Sequence, residues 1–115
     1  MRTLRTFRNV TAQGELYITR IAELPSGIPA VEATDSRVIV GHSETGHHHV
    51  MDAARTTMYR LPEEIYEWFL VVAETDELVH LRPFDTHETI QFAPGVYRVR
   101  AGREYTPEGW RRAAD

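Results

Sequence analysis

The chain has 115 residues, of which 42% are hydrophobic and 26% are charged, and these values predict one domain, residues 1–115, with a modest core. Cysteine is absent, which excludes disulfides, thiolate metal sites and cysteine nucleophiles. The formal net charge of −4 argues against a dedicated duplex-DNA binder.

Short strand-like segments separated by turns run along the chain. Strands are predicted over 1–10 (a short arm or edge strand), 15–21, 37–52 (a hairpin), 56–61, 68–74, 78–81, 88–92 and 96–105. Residues 22–34 contain Leu-Pro-Ser-Gly-Ile-Pro and are predicted to be a loop. Thr106 offers an N-cap hydroxyl and Pro107 suits a first helical position, so 108–115 is predicted to be a short helix or turn. The predicted fold class is therefore all-β, a small barrel or sandwich with a short C-terminal helix.

The predicted hairpin carries four of the chain's six histidines between positions 42 and 49. A four-residue loop around a type I turn would place His42 opposite His47. A type I turn with a bulge at Gly46 would instead pair Ser43 with His47. His47 and His49 lie on the same face in either register, because side chains alternate along a strand, and His48 lies on the other face.

Clustered imidazoles at this spacing indicate a metal site. Three histidine ligands with an open fourth position are typical of catalytic zinc. The predicted ligands of one divalent ion are His42, His47, His49 and His87, the last because it follows a loop and opens a strand. Zinc is the expected ion, since no thiolate is available. The alternatives are a metal-free histidine site and a solvated surface hairpin, and His80 is interpreted as a half-buried strand residue.

Glu44 lies in the turn between these histidines and is the candidate catalytic residue. Beside a metal ion, a carboxylate can act as general base for a bound water molecule. The alternative is an ordinary polar turn residue. Asp52 and Asp85 are weaker candidates for carboxylate ligands.

All 13 basic residues are arginine, and they are concentrated toward the two ends of the chain, whereas the middle is acidic. If the ends meet, the arginines could hold the phosphate or carboxylate groups of a small anionic substrate. The alternative, which we favour, is that these charges are solvated. The series Arg98, Arg100, Arg103 and Tyr105 could likewise orient an anion, but pairing with the acidic middle is the preferred interpretation.

The N-terminus lacks the apolar stretch of a signal peptide, and the longest apolar run, 68–73, is too short to span a membrane. We therefore expect no membrane association and a location in the cytoplasm or inside a phage particle. A homo-oligomer is left open.

Three motifs together resemble a group of small, uncharacterised bacterial and phage proteins. The motifs are Gly41-His-Ser-Glu-Thr-Gly-His-His-His49, His87-Glu-Thr-Ile and Pro94-Gly-Val-Tyr-Arg-Val with the later Arg103-Glu-Tyr-Thr-Pro107. Those proteins carry a G-H-x-H hairpin, a histidine-containing strand, P-x-G-x-Y-x-V and a terminal R-E-Y-x-P. The resemblance covers roughly residues 13–115 and implies that His47, His49 and His87 share one site. A weaker likeness is to cupins, small β-barrels with an H-x-H metal pair.

Two functions follow as hypotheses. The first is a small metal-dependent hydrolase in which Glu44 moves protons beside a histidine-ligated ion. The second is a non-catalytic structural or regulatory module of a phage or mobile element, in which histidines staple the hairpin.

Overall fold

The computed structural model describes residues 4–41, 48–81, 88–101, 103–106 and 109–112, with the backbone alone after residue 101. The strands, in chain order, are β1 (Leu4–Thr6), β2 (Val10–Gln13), β3 (Leu16–Ile21), β4 (Arg37–Gly41), β5 (His49–Asp52), β6 (Thr56–Tyr59), β7 (Glu67–Val72), β8 (Asp76–His80), β9 (Thr89–Phe92), β10 (Gly95–Ala101), β11 (Arg103–Thr106) and β12 (Gly109–Arg112). The fold is all-β, as predicted.

Two five-stranded sheets form the body of the protein, in the order β1-β9-β8-β5-β4 and β2-β3-β10-β7-β6. Four hairpins, β2–β3, β4–β5, β6–β7 and β8–β9, keep consecutive strands in one sheet, and β1 joins β9 in parallel. One buried apolar cluster draws side chains from both sheets, as in a small β-sandwich.

Every second side chain of β10 is directed into this core. Tyr97 and Val99 are buried, whereas Arg98 is half-buried and Arg100 is exposed, so this strand has one buried and one polar face. On the neighbouring β3, Leu16 and Ile18 are fully buried. A strand with this period buries one row of apolar side chains and leaves polar side chains at the surface.

The turn before β10 is held by two side chains. The buried Tyr97 hydroxyl donates to the carbonyl of Ala93 at 2.6 Å, and Arg20 Nη2 donates to the carbonyl of Pro94 at 2.9 Å. Burial raises the pKa of the Tyr97 phenol, and the nearby Arg20 guanidinium partly opposes that rise. The segment between β9 and β10 is thus held to β10 by Tyr97 and to β3 by Arg20.

The predicted C-terminal helix is wrong. Residues Gly109–Arg112 form β12, which pairs antiparallel with β11, and Thr106 lies opposite Gly109. The capping signal at Thr106-Pro107 is local, and a helix of about two turns is marginal without a packed face. A hairpin instead provides a backbone partner for both segments, and the aromatic residues Tyr105 and Trp110 favour strands.

In the part of the chain that the structure describes, no helix is long and apolar enough to cross a membrane.

Candidate functional site

Two neighbouring strands of the first sheet, β5 and β8, have a histidine at the same end of the sheet, and we call this end the histidine-rich end. β5 begins at His49, β8 ends at His80, and these two residues are register partners. The Leu81 N–H donates to the His48 carbonyl at 2.8 Å, which extends the pairing by one step. In the sequence, positions 42–48 directly precede the first of these strand ends and positions 81–87 directly follow the second, and together with His49 and His80 they include every histidine of the chain.

Four of the predicted site residues, His42, Glu44, His47 and His87, lie outside the described residues. His49, the remaining predicted ligand, lies inside them, with a side chain that is only 1% exposed. Among the residues that are described, no group of three histidine, aspartate or glutamate side chains could hold a metal ion. A metal site at this end therefore depends on the predicted ligands beyond the described ranges.

Gln13 holds the ring of His49. Its Oε1 lies 2.8 Å from His49 Nδ1, and its Nε2 donates to the carbonyls of Leu78 at 3.1 Å and Glu88 at 2.8 Å. Gln13 is 2% exposed and ends β2, so it reaches from the second sheet to the first. The turn that follows uses Gly14 with φ 58°, a conformation that glycine adopts without strain.

His80 stacks on His49. The ring centroids are 4.1 Å apart, the planes differ by 1°, and His80 is 2% exposed. The lone pairs of parallel rings lie in parallel planes, so one ion cannot lie in the planes of both rings. In this arrangement His80 supports the His49 ring rather than sharing an ion with it.

His48 belongs to the outer face of the first sheet. It is half-buried and lines a cavity of about 390 Å³ together with Arg37, Ile39, Val50 and Leu81 among others. His48 and His49 therefore lie on opposite faces, as strand alternation predicts.

The register of the β4–β5 hairpin shifts by one residue within β4. Arg37 pairs with Asp52 and Ile39 with Val50, but Gly41 pairs with His49, so one extra residue is accommodated in β4 near Val40. The two predicted loop registers both concern residues outside the described part of the chain, and they stay predictions.

Gly41 is required by close packing. A β-carbon at this position would lie 2.8 and 3.0 Å from the two methyl carbons of Leu16 and 3.3 Å from His49 Cδ2. Leu16 is fully buried and has no room to move away. The end of β4 therefore lies directly against the His49 ring.

A methyl group at Gly41 should strain this contact. We expect Gly41→Ala to lower the free energy of unfolding by about 1–3 kcal/mol, the usual cost of overpacking, measured by urea denaturation. Gly95→Ala is the matched control, because the atoms nearest to its β-carbon belong to the guanidinium of the exposed Arg20, which can move at the cost of one exposed hydrogen bond, and a change below about 1 kcal/mol is expected. Equal effects of the two substitutions would contradict the packing argument.

The arginines near the end of β10 form ion pairs with the acidic middle of the chain. Arg100 Nε lies 2.9 Å from Glu67 Oε1, and Arg98 Nε lies 3.7 Å from the same oxygen. This contact agrees with the preferred interpretation of Arg98 and Arg100. Asp52, a weaker ligand candidate, accepts the Ala54 N–H at 2.8 Å and lies 3.7 Å from Arg55 Nε, as a turn residue does.

The sequence analysis did not identify Gln13 as a partner of His49, and it interpreted His80 only as a half-buried strand residue. Thr11 and Gln13 occupy alternate positions of β2 and are both buried, so period-two alternation could have placed Gln13 on the inner face. Similarly, Leu78 and His80 share the inner face of β8. No sequence signal links either residue to His49.

The protein is thus a small all-β sandwich, and its histidine-rich end contains a buried contact between Gln13 and His49. The family described as Domain of unknown function (DUF8820) matches residues 12–102, and the chain belongs to this family. The matched range contains Gln13 and all six histidines. No curated protein and no solved structure matches the chain.

Proposed function

We propose that this protein binds one divalent metal ion, zinc, at the histidine-rich end, with His42, His47, His49 and His87 as the candidate ligands. One observation carries the proposal: the pairing of His49 with His80 brings the two histidine-containing stretches to adjacent strand ends. Imidazole nitrogen suits zinc, and cysteine ligands are absent from the chain.

The buried position of His49 supports its role as a ligand. A hydrogen bond stabilises a buried polar ring, and the Nδ1 atom of His49 makes one with Gln13. Metal-binding histidines use the same arrangement, in which one nitrogen contacts an oxygen acceptor and the other contacts the ion.

Within this proposal, hydrolysis is the reaction that the residues favour. A zinc ion with an open position activates water near neutral pH. Glu44 would accept the proton from that water, and a small anionic substrate that carries a phosphate or carboxylate group would suit the arginine-rich ends of the chain.

A second candidate function rests on the histidine stack. The rings of His49 and His80 are both buried and stacked with their centroids 4.1 Å apart, and such a contact can stabilise the fold without binding a ligand. In this alternative the metal or the histidines only fasten the hairpin of a phage or mobile-element module, located in the cytoplasm or in a phage particle.

The test is metal analysis of the full chain purified without a tag, followed by zinc titration of the chelated protein in a calorimeter. We expect one zinc ion per chain. Absence of stoichiometric zinc binding at micromolar concentrations would overturn the proposal.

Hydrolysis of p-nitrophenyl acetate and p-nitrophenyl phosphate separates the two candidates. The enzyme requires turnover that chelation abolishes and that Glu44→Gln reduces by at least about 100-fold, the scale of general-base catalysis, while the exposed control Glu63→Gln leaves it unchanged. A module fastened by the metal requires a chelator-induced loss of thermal stability without turnover, and a module fastened by the histidines alone requires neither.

A further inference from the structure

We infer that Gln13 is a positioning residue that fixes His49 in the Nδ1–H tautomer, so that Nε2 is the nitrogen His49 offers to a metal ion. The tautomer follows from hydrogen bonds alone, whereas its use for metal binding rests on the function proposed above.

The orientation of the Gln13 amide is set by its two donors. The NH₂ group of glutamine has two hydrogens, and Gln13 Nε2 gives them to the carbonyls of Leu78 and Glu88. Carbonyl oxygens only accept hydrogen bonds. Turning the amide over would place its oxygen against both of them, at a buried position where lost hydrogen bonds are costly.

With the amide fixed in this way, Oε1 faces His49. An amide oxygen can only accept, so His49 Nδ1, at 2.8 Å, must carry the hydrogen. In the neutral ring the lone pair then belongs to Nε2. The Gln13 contact therefore decides which nitrogen is suited to metal binding.

The other side of the ring lies against the end of β4. Nδ1 contacts Gln13 of β2, whereas Cδ2, the neighbour of Nε2 in the ring, lies 3.3 Å from the position of a β-carbon on Gly41. The nitrogen that keeps the lone pair is therefore bonded to the ring carbon that is close to Gly41, the residue that directly precedes His42 in the sequence.

Gln13 also connects His49 to the second histidine-containing segment. Glu88, whose carbonyl accepts from Gln13, directly follows position 87, and Leu78 lies two residues before His80. One side chain from β2 therefore ties together β5, β8 and the beginning of β9 at the histidine-rich end.

The test is long-range ¹H–¹⁵N correlation of ¹⁵N-histidine-labelled full-length protein without metal, with the His49 signals assigned by their loss in His49→Gln. Wild type should show the Nδ1–H tautomer. Gln13→Met, which keeps the size of the side chain but removes its acceptor, should abolish that preference. Gln91→Met, at a half-buried position of β9, is the matched control and should behave as wild type.

The same variants are then titrated with zinc. Gln13→Met should weaken zinc binding by about 10–100-fold, the usual effect of losing an outer partner of a histidine ligand, while Gln91→Met should bind zinc as wild type does. A purely structural role would lower the melting temperature of Gln13→Met without moving the tautomer.

The outcomes separate the two proposals. An Nε2–H tautomer in wild type, or an unchanged tautomer in Gln13→Met, would overturn the inference whatever zinc does. Unchanged zinc affinity of Gln13→Met would overturn its metal-binding part. If wild type bound no zinc but showed the Gln13-dependent tautomer, the proposed function would fail and the assignment of the tautomer to Gln13 would stand.

Discussion

The His49→Gln variant is expected to lose stoichiometric zinc. The substitution removes the only predicted ligand that the structure places in a buried, oriented position. The loss of zinc affinity should be larger than the loss of about 10–100-fold that follows when a residue contacting a metal ligand is replaced. Elemental analysis and calorimetric titration of the folded variant measure the effect, and His47→Gln should act in the same way.

His48→Gln is the control for this experiment. His48 is adjacent in sequence, but it lines a cavity on the outer face of the sheet, opposite to the direction of His49. Zinc content should stay at the wild-type level in this variant. Equal zinc content in His48→Gln and His49→Gln would contradict the assignment.

Asp76→Ala is expected to cause the largest loss of stability. The Asp76 carboxylate is 4% exposed and accepts three hydrogen bonds, from the Thr56 hydroxyl at 2.7 Å, the Glu77 N–H at 2.7 Å and the Asp52 N–H at 3.0 Å. Thr56 belongs to the second sheet, so this carboxylate joins the two sheets. Removing it takes the acceptor from the buried Thr56 hydroxyl and from two partly buried N–H groups, and a loss of about 3 kcal/mol is expected.

Thermal and urea denaturation measure this effect, and a drop in melting temperature of about 10 °C corresponds to the expected loss. Glu74→Ala is the matched control, because that carboxylate is exposed and lies two residues away. It should change stability by less than about 0.5 kcal/mol. A similarly small change in Asp76→Ala would show that the three hydrogen bonds contribute little.

Local patterns were sufficient to predict most of the strands. Alternation in β10 and the apolar composition of β7 reflect burial of one face or both faces in a sheet, and both patterns are present within a few residues of sequence. The terminal hairpin was missed because a capping signal at Thr106 was present, whereas pairing between β11 and β12 depends on the energy of the whole hairpin.

The contact between Gln13 and His49 could not be predicted in the same way. The two residues are 36 positions apart and belong to different sheets, so their contact depends on how the sandwich packs. The pairing of His49 with His80 likewise depends on the order of the strands in the sheet. The clustering of histidines was visible in the sequence, but the sequence did not show which nitrogen of His49 contacts Gln13.

The most direct test of the proposed zinc site is anomalous X-ray diffraction at the zinc absorption edge from crystals of the zinc-loaded protein. We expect one strong peak about 2.0–2.1 Å from His49 Nε2, with Gln13 Oε1 still facing Nδ1. A peak bonded to Nδ1, a peak at His48, or no peak at His49 would contradict it.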